Sequence, residues 1–257
     1  MKKPGAVVRT ILLLAVLAVY AATLAAGPQD QLASTAQDTL TVQGARPVME
    51  AMAVLERRYG WIVTYEDPPY IYSGDLADLT KVPTPDGRRS LFPKARRLDL
   101  PQPLPAPGDN PNPVALVNAV LKADSESNRQ KTFRVFQSEY GLHVVPTRSR
   151  NVAGESMAIR PVLDARITLA GDGVSARKFL EMFCAAVSEA TGTTMVLATV
   201  PRNLLLTRTV TLGVKNERAR QVLIRVLQEL GVPLTWRLLY SPSQPQGFYL
   251  NIDSPGI

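Results

Sequence analysis

The chain has 257 residues, 46% of them hydrophobic and 20% charged, a composition that can bury a core, excludes global disorder and suits one or two domains. A single cysteine and a single histidine exclude an internal disulfide framework and the common zinc spacings, so neither a metal nor another cofactor is expected. The formal charge of +7 depends on what is removed from the N-terminus.

Lys2, Lys3 and Arg9 precede an uncharged, mostly apolar run from Ile11 to Ala26, and polar Gln29-Asp30-Gln31 follows. A basic stretch ahead of an apolar one is the order of an export signal. Thr23-Leu24-Ala25 sets small side chains where a signal peptidase must accommodate them, so residues 1–25 are expected to be a signal peptide. The apolar run falls short of the roughly 20 residues that span a bilayer, which makes an uncleaved inner-membrane anchor the lesser alternative. Gly27 stands where a lipid-attachment cysteine would. Loss of three positive charges from +7 leaves +4, an excess that requires no nucleic acid.

From Leu40 the chain reads Leu40-Thr41-Val42, a turn at Gln43-Gly44, and Pro47 opening a helix with Val48, Ala51, Met52, Leu55 and Tyr59 on one face. Gly60 closes it, and Trp61 to Tyr65 is β-branched and aromatic, hence a strand. Glu66 and Asp67 follow as a turn expected to carry solvated acids. An insertion runs from 68 to 112, and nine prolines occur from Pro83 to Pro113, which predicts a long surface loop or strap. Its first part is basic, with Lys81, Arg88, Arg89, Lys94, Arg96 and Arg97; this is a solvated loop or a contact arm for an acidic partner, membrane headgroups or cell-wall polymer. Tyr65, Tyr70 and Tyr72, with Arg88, Arg89, Arg96 and Arg97, are the candidate partner contacts.

Asn112 caps a second helix with Val114, Val117, Val120 and Leu121 inward, and Phe133–Phe136 with Leu142–Val145 reads as a hairpin. Residues 151–160 are expected to be a linker. The plan then returns: Ile167-Thr168-Leu169, a helix from Ser175 with Ala176, Phe179, Leu180, Phe183, Val187 and Ala190 inward, Gly192, and a strand at Thr194–Leu197. A short Pro201-Arg202-Asn203 turn leads to Val210-Thr211-Leu212, a helix with Ala219, Val222, Leu223, Val226, Leu227 and Leu230 inward, Gly231, and a hairpin of Leu234–Tyr240 with Phe248–Ile252. Laying Gly60 on Gly231 matches the core positions of the first and last helices. The predicted fold is α+β: two related two-layer domains, 38–150 and 161–257, each strand-helix-strand followed by a second helix and a terminal hairpin.

The units Leu40 to Tyr65 and Val210 to Ile252, and less closely Ile167 to Leu197, resemble the short N-terminal (STN-like) repeat of bacterial secretins and TonB-dependent transporters. The resemblance implies an envelope module that makes protein contacts rather than performing catalysis. No secretin barrel or transporter plug accompanies the repeats, so a stand-alone duplicated form is implied.

Residues with catalytic possibilities have plainer readings. Ser175-Ala176-Arg177-Lys178 has the serine-x-x-lysine spacing of penicillin-recognising enzymes, yet no Lys-Thr-Gly element follows, and Ser175 reads as a helix cap. Gly154-Glu155-Ser156-Met157-Ala158 resembles a nucleophile elbow, but Pro161 blocks the required helix and His143 lies upstream. His143 should point away from the face of Leu142 and Val144, as a surface or hydrogen-bonded residue, and Cys184 is a buried thiol. A non-enzymatic envelope interaction or assembly protein, periplasmic or extracellular, is expected. A periplasmic ligand-binding protein, with a cleft between the halves near Tyr65, Tyr70 and Trp236, is the alternative.

Overall fold

A computed structural model describes residues 39–81, 89–243 and 246–255. The expected signal peptide (1–25) and Arg88 lie outside the described residues. Residues Thr39–Ile257 make up one compact unit. In chain order its elements are β1 (Thr39–Gly44), α1 (Pro47–Tyr59), β2 (Val63–Glu66), β3 (Leu76–Asp78), β4 (Leu91–Pro93), β5 (Arg96–Pro103), α2 (Pro113–Asn128), β6 (Phe133–Gln137), β7 (Leu142–Pro146), β8 (Arg148–Arg150) and β9 (Ser156–Ala158). The second half continues with β10 (Arg166–Leu169), β11 (Val174–Ser175), α3 (Ala176–Thr191), β12 (Met195–Leu197), α4 (Arg202–Thr207), β13 (Thr209–Val210), β14 (Val214–Arg218), α5 (Ala219–Glu229), β15 (Thr235–Ser241) and β16 (Gly247–Asp253). The fold is α+β, as the alternating periodicities predict.

Local chemistry sets the helix ends. Pro47 opens α1 where its missing N–H costs nothing, and Gly60 closes it in the left-handed conformation at φ 70°. The Asn112 carboxamide oxygen accepts the Ala115 N–H at 2.9 Å, and the Ser175 hydroxyl accepts the Lys178 N–H at 3.2 Å, so both residues act as caps. Val48, Ala51, Met52 and Leu55 of α1 and Val117 and Val120 of α2 pack with Val63, Tyr65 and Val144 in one core. Phe179, Leu180, Phe183 and Val187 of α3 and Val222, Leu223, Val226 and Leu227 of α5 pack with Trp236, Leu238, Leu250 and Ile252 in the other. Each fully buried leucine contributes roughly 1.5 to 3 kcal/mol.

The halves are joined by one six-stranded sheet in the order β12-β16-β15-β2-β7-β6. Within it the pairs β12·β16 and β2·β7 are parallel, while β15·β16 and β6·β7 are antiparallel hairpins. The second half therefore contributes the triplet β12-β16-β15 and the first the equivalent triplet β2-β7-β6. They meet at a parallel β15·β2 contact, with Arg237 opposite Tyr65 and Leu238 opposite Glu66. Following the pair directions across the sheet, β2 runs antiparallel to β12. The triplets are thus related by a half-turn about an axis across the strands plus a step of three strands. Because side chains alternate along a strand, Tyr65 and Leu238 lie on opposite faces, and so do the two helical layers that cover them.

The correspondence between the halves extends beyond the sheet. Each half pairs a strand ahead of its first helix with the strand ahead of its last helix, β1 with β5 and β10 with β14. A Cβ on Gly141 would stand 2.4 Å from the Ile62 carbonyl oxygen, and one on Gly247 2.6 Å from that of Thr194. The next N–H in each case donates to that same oxygen: Leu142 to Ile62 at 2.9 Å and Phe248 to Thr194 at 2.8 Å. By connectivity α1 corresponds to α3 and α2 to α5, so laying Gly60 on Gly231 matched helices that do not occupy equivalent places; Gly60 corresponds to Gly192.

Three local expectations are corrected. Part of the proline-rich insertion is the strand β5, paired with β1 through Leu98 opposite Val42. Its alternate residues Leu98 and Leu100 are buried, and Pro103 sits at the end of the ladder, beyond the register shift, where a missing donor is tolerated. Residues 151–160 are not a bare linker, because β9 within them pairs with β8. The short turn at Pro201 is the start of helix α4, whose Leu205 is fully buried.

Candidate functional site

Where β15 meets β2, four carboxylates and three arginines are packed between the halves. Glu66 and Asp67 are each only 1% exposed, so they are not the solvated acids their adjacency suggested. Glu66 accepts Arg220 Nη2 at 2.8 Å and Nε at 3.0 Å on Oε1, and a second Nη2 contact at 3.0 Å on Oε2. Arg220 also pairs with Asp164. Asp67 accepts Arg46 Nε at 2.6 Å, the Tyr240 N–H at 2.9 Å and the Tyr65 hydroxyl at 2.8 Å. Glu56 of α1 accepts the Val63 N–H at 3.1 Å and pairs with Arg237 of β15. The Thr235 hydroxyl donates to the Val63 carbonyl, and the Asp67 N–H donates to the Leu238 carbonyl at 2.8 Å.

Burial pushes Glu56, Glu66 and Asp67 above the usual carboxylate range, and their arginines draw them back. Buried pairs of this kind add little net stability but make every wrong pairing of the two triplets costly.

Next to this seam His143 is fully buried, on the face away from Leu142 and Val144 as its place in the strand predicts. Its Nδ1 lies 2.9 Å from the Thr64 hydroxyl and its Nε2 2.7 Å from that of Ser138. The ring packs against Phe136 and Trp236, with centroids at 4.9 and 5.5 Å. Burial, and then the Arg220 charge, pushes its pKa down to about 4. Its polar partners are Thr64 and Ser138, not the serines singled out by motif. Ser175 caps α3, and Ser156 is exposed on β9, where its hydroxyl accepts Arg148 Nε at 2.9 Å. Cys184 is buried, as expected, and burial pushes its thiol up to about 12.

The candidate partner contacts do not converge on one surface. Tyr65 is a core residue anchored on Asp67. The strand alternation that buries Val63 buries Tyr65 as well, which excludes it as an exposed contact. Tyr72 is half-buried against Gly154, beneath the Arg150 guanidinium. Arg89 and Arg97 are exposed and paired with Asp78 and Asp99. Arg96 is half-buried and holds Asp124 at 3.2 Å.

Tyr70 and Arg96 do come together, in an open cleft of about 370 Å³ that Lys94, Gln130, Ser149 and Arg150 also line. The cleft lies within the first half; Trp236 is buried and Tyr65 does not line it. Arg150 is held there by Asp75 at 2.8 Å and Gln130 at 3.2 Å. Among the described residues no group of three or more His, Cys, Asp or Glu side chains is placed to hold a metal ion.

Comparison with protein-family models, with curated proteins and with solved structures found no match. Among the described residues no helix is long and apolar enough to cross a membrane.

Proposed function

We propose that this chain is an exported, non-enzymatic assembly protein of the cell envelope, built on a duplicated STN-like unit. The observation that carries the reading is the central sheet, which among the described residues ends at β12 on one side and β6 on the other. Strands paired on one side only present backbone donors and acceptors to a partner. The basic, apolar, small-residue order at the N-terminus supports export. The exposed Gln137 at the end of β6 provides the test: a photo-crosslinking residue placed there in the producing cell. Crosslinked complexes in the envelope fraction, on a chain whose intact mass begins near Ala26, are the expected result. A chain retained in the cytoplasm overturns export, and one uncrosslinked in every fraction overturns assembly.

The Tyr70, Arg96 and Arg150 cleft favours a second reading, a periplasmic protein that binds a small anionic ligand. Under that reading Arg150→Ala abolishes ligand capture and leaves crosslinking at Gln137 intact.

A further inference from the structure

The two free edges of the sheet are the two halves of a contact the chain already makes once inside itself. β2 and β12 are equivalent, since each follows the first helix of its half and pairs in parallel with the second strand of its half's hairpin. β15 and β6 are equivalent, since each is the first strand of that hairpin. Inside the chain the outward edge of β15 receives β2. Among the described residues, a β15-type edge, β6, and a β2-type edge, β12, remain unoccupied at the ends of the sheet.

The side chains follow the same correspondence. Aligned through Gly141 and Gly247, Thr132-Phe133-Arg134-Val135 falls on Thr235-Trp236-Arg237-Leu238, so Arg134 stands where Arg237 reaches across to Glu56. On the other edge Ser188 stands where Glu56 does: its hydroxyl accepts the Met195 N–H at 2.8 Å, as Glu56 accepts that of Val63 at 3.1 Å. Arg134 and Gln137 are exposed, and Val196 on β12 is 41% exposed.

We propose that copies of this chain associate head to tail, the β6 edge of one accepting the β12 edge of the next in parallel. The register of the internal contact sets Arg134 opposite Leu197 and Val135 opposite Ala198. Two applications of the half-turn relation restore the original orientation, so each added copy leaves a fresh β6 edge. A heterologous contact of this kind builds rings or filaments rather than closed twofold dimers.

The outer contact is weaker than the inner one for a specific reason. It keeps the arginine and lacks the acids, because Ser188, Ala198 and Thr199 replace Glu56, Glu66 and Asp67. Association is therefore reversible and concentration-dependent, and one carboxylate should strengthen it.

The proposal names the partner within the assembly reading above and rests on that reading. The test is sedimentation velocity of the purified protein across a dilution series, alone and as Ser188→Glu, Arg134→Glu and both together, with circular dichroism confirming each fold. Expected are species beyond the dimer that grow with concentration. Ser188→Glu should lower the association midpoint about tenfold, the equivalent of one interfacial ion pair. Arg134→Glu should cancel that gain.

Val135→Cys with Ala198→Cys should give a disulfide-linked ladder on oxidation, absent from either single variant because Cys184 is buried. A wild type monomeric throughout, a species that stops at the dimer, a Ser188→Glu gain that survives Arg134→Glu, or the absence of a ladder overturns the proposal. Capture of a different protein at Gln137 in cells, with a strictly monomeric purified chain, overturns self-association and leaves the envelope-assembly reading standing. Self-association of a chain found only in the cytoplasm does the reverse.

Discussion

Acidification should weaken the fold through His143, the only histidine in the sequence. In the folded chain its pKa is pushed down from 6.5 to about 4, first by burial and then by the Arg220 charge. The unfolded chain binds the proton first, so the stabilisation is fully present above 6.5 and is lost as pH falls toward 4. A shift of roughly two and a half units is worth about 3 kcal/mol in all, and about 2 kcal/mol of that is gone by pH 5. Glu56, Glu66, Asp67 and Asp124 act in the opposite sense. Burial holds each above its usual value, so the folded chain takes up their protons first and gains relative stability on acidification. Urea unfolding at pH 7 and pH 5, for wild type and for His143→Gln, separates the two contributions, because the substitution leaves the acids in place. The wild type should lose about 2 kcal/mol more than the variant between the two pH values. Parallel pH dependence in the two proteins would refute the reasoning, as would an imidazole NMR resonance titrating near 6.5.

Three further expectations follow from the seam and the duplication. Arg220→Met should cost about 3 to 5 kcal/mol in urea unfolding by leaving Glu66 buried without a counter-charge, and Glu66→Gln in the same chain should recover part of the loss. Gly141→Ala and Gly247→Ala should each destabilise by about 1 to 3 kcal/mol in thermal denaturation, because the added carbon meets a carbonyl oxygen in both; Gly108→Ala, with open space at its Cβ, is the neutral control. The Cys184 thiol, pushed up to about 12 by burial, should react with a disulfide reagent only at the rate of unfolding, as followed by absorbance in native buffer and in urea.

What the sequence disclosed was local. The stripe Val48, Ala51, Met52 and Leu55, the caps Asn112 and Ser175, and the two hairpins are each written within fifteen or so residues, and each formed where periodicity placed it. The charged seam was hidden because its partners are far apart: Glu66 and Arg220 are 154 residues apart and Arg237 and Glu56 are 181. Two adjacent acids look solvated when their neighbours in space cannot be seen. A signal was nevertheless available. Val63-Thr64-Tyr65 alternates straight into Glu66-Asp67 without a break before Pro68, which keeps Glu66 on the strand and Asp67 directly after it, and Arg220 lies between the inward Ala219 and Val222. The same alternation buries Tyr65 and disqualifies it as an exposed contact.

The misassigned repeat shows what separates pattern from topology. Any amphipathic helix closed by glycine can be laid on any other, which is why α1 matched α5 on the page although α3 is its counterpart in space. The distinguishing information lies in non-local pairing: a glycine under a carbonyl oxygen, a carboxylate or hydroxyl accepting the first N–H of the following strand, an arginine on the outward edge of a hairpin. Where all of these coincide, at β15 and β2, the acids are present and the two triplets are held in one order. At the outer edges the glycine, the accepting hydroxyl and the arginine remain and the acids are missing. The presence of carboxylates at the inner contact alone separates a contact made permanently within one chain from the proposed one that forms and breaks between chains.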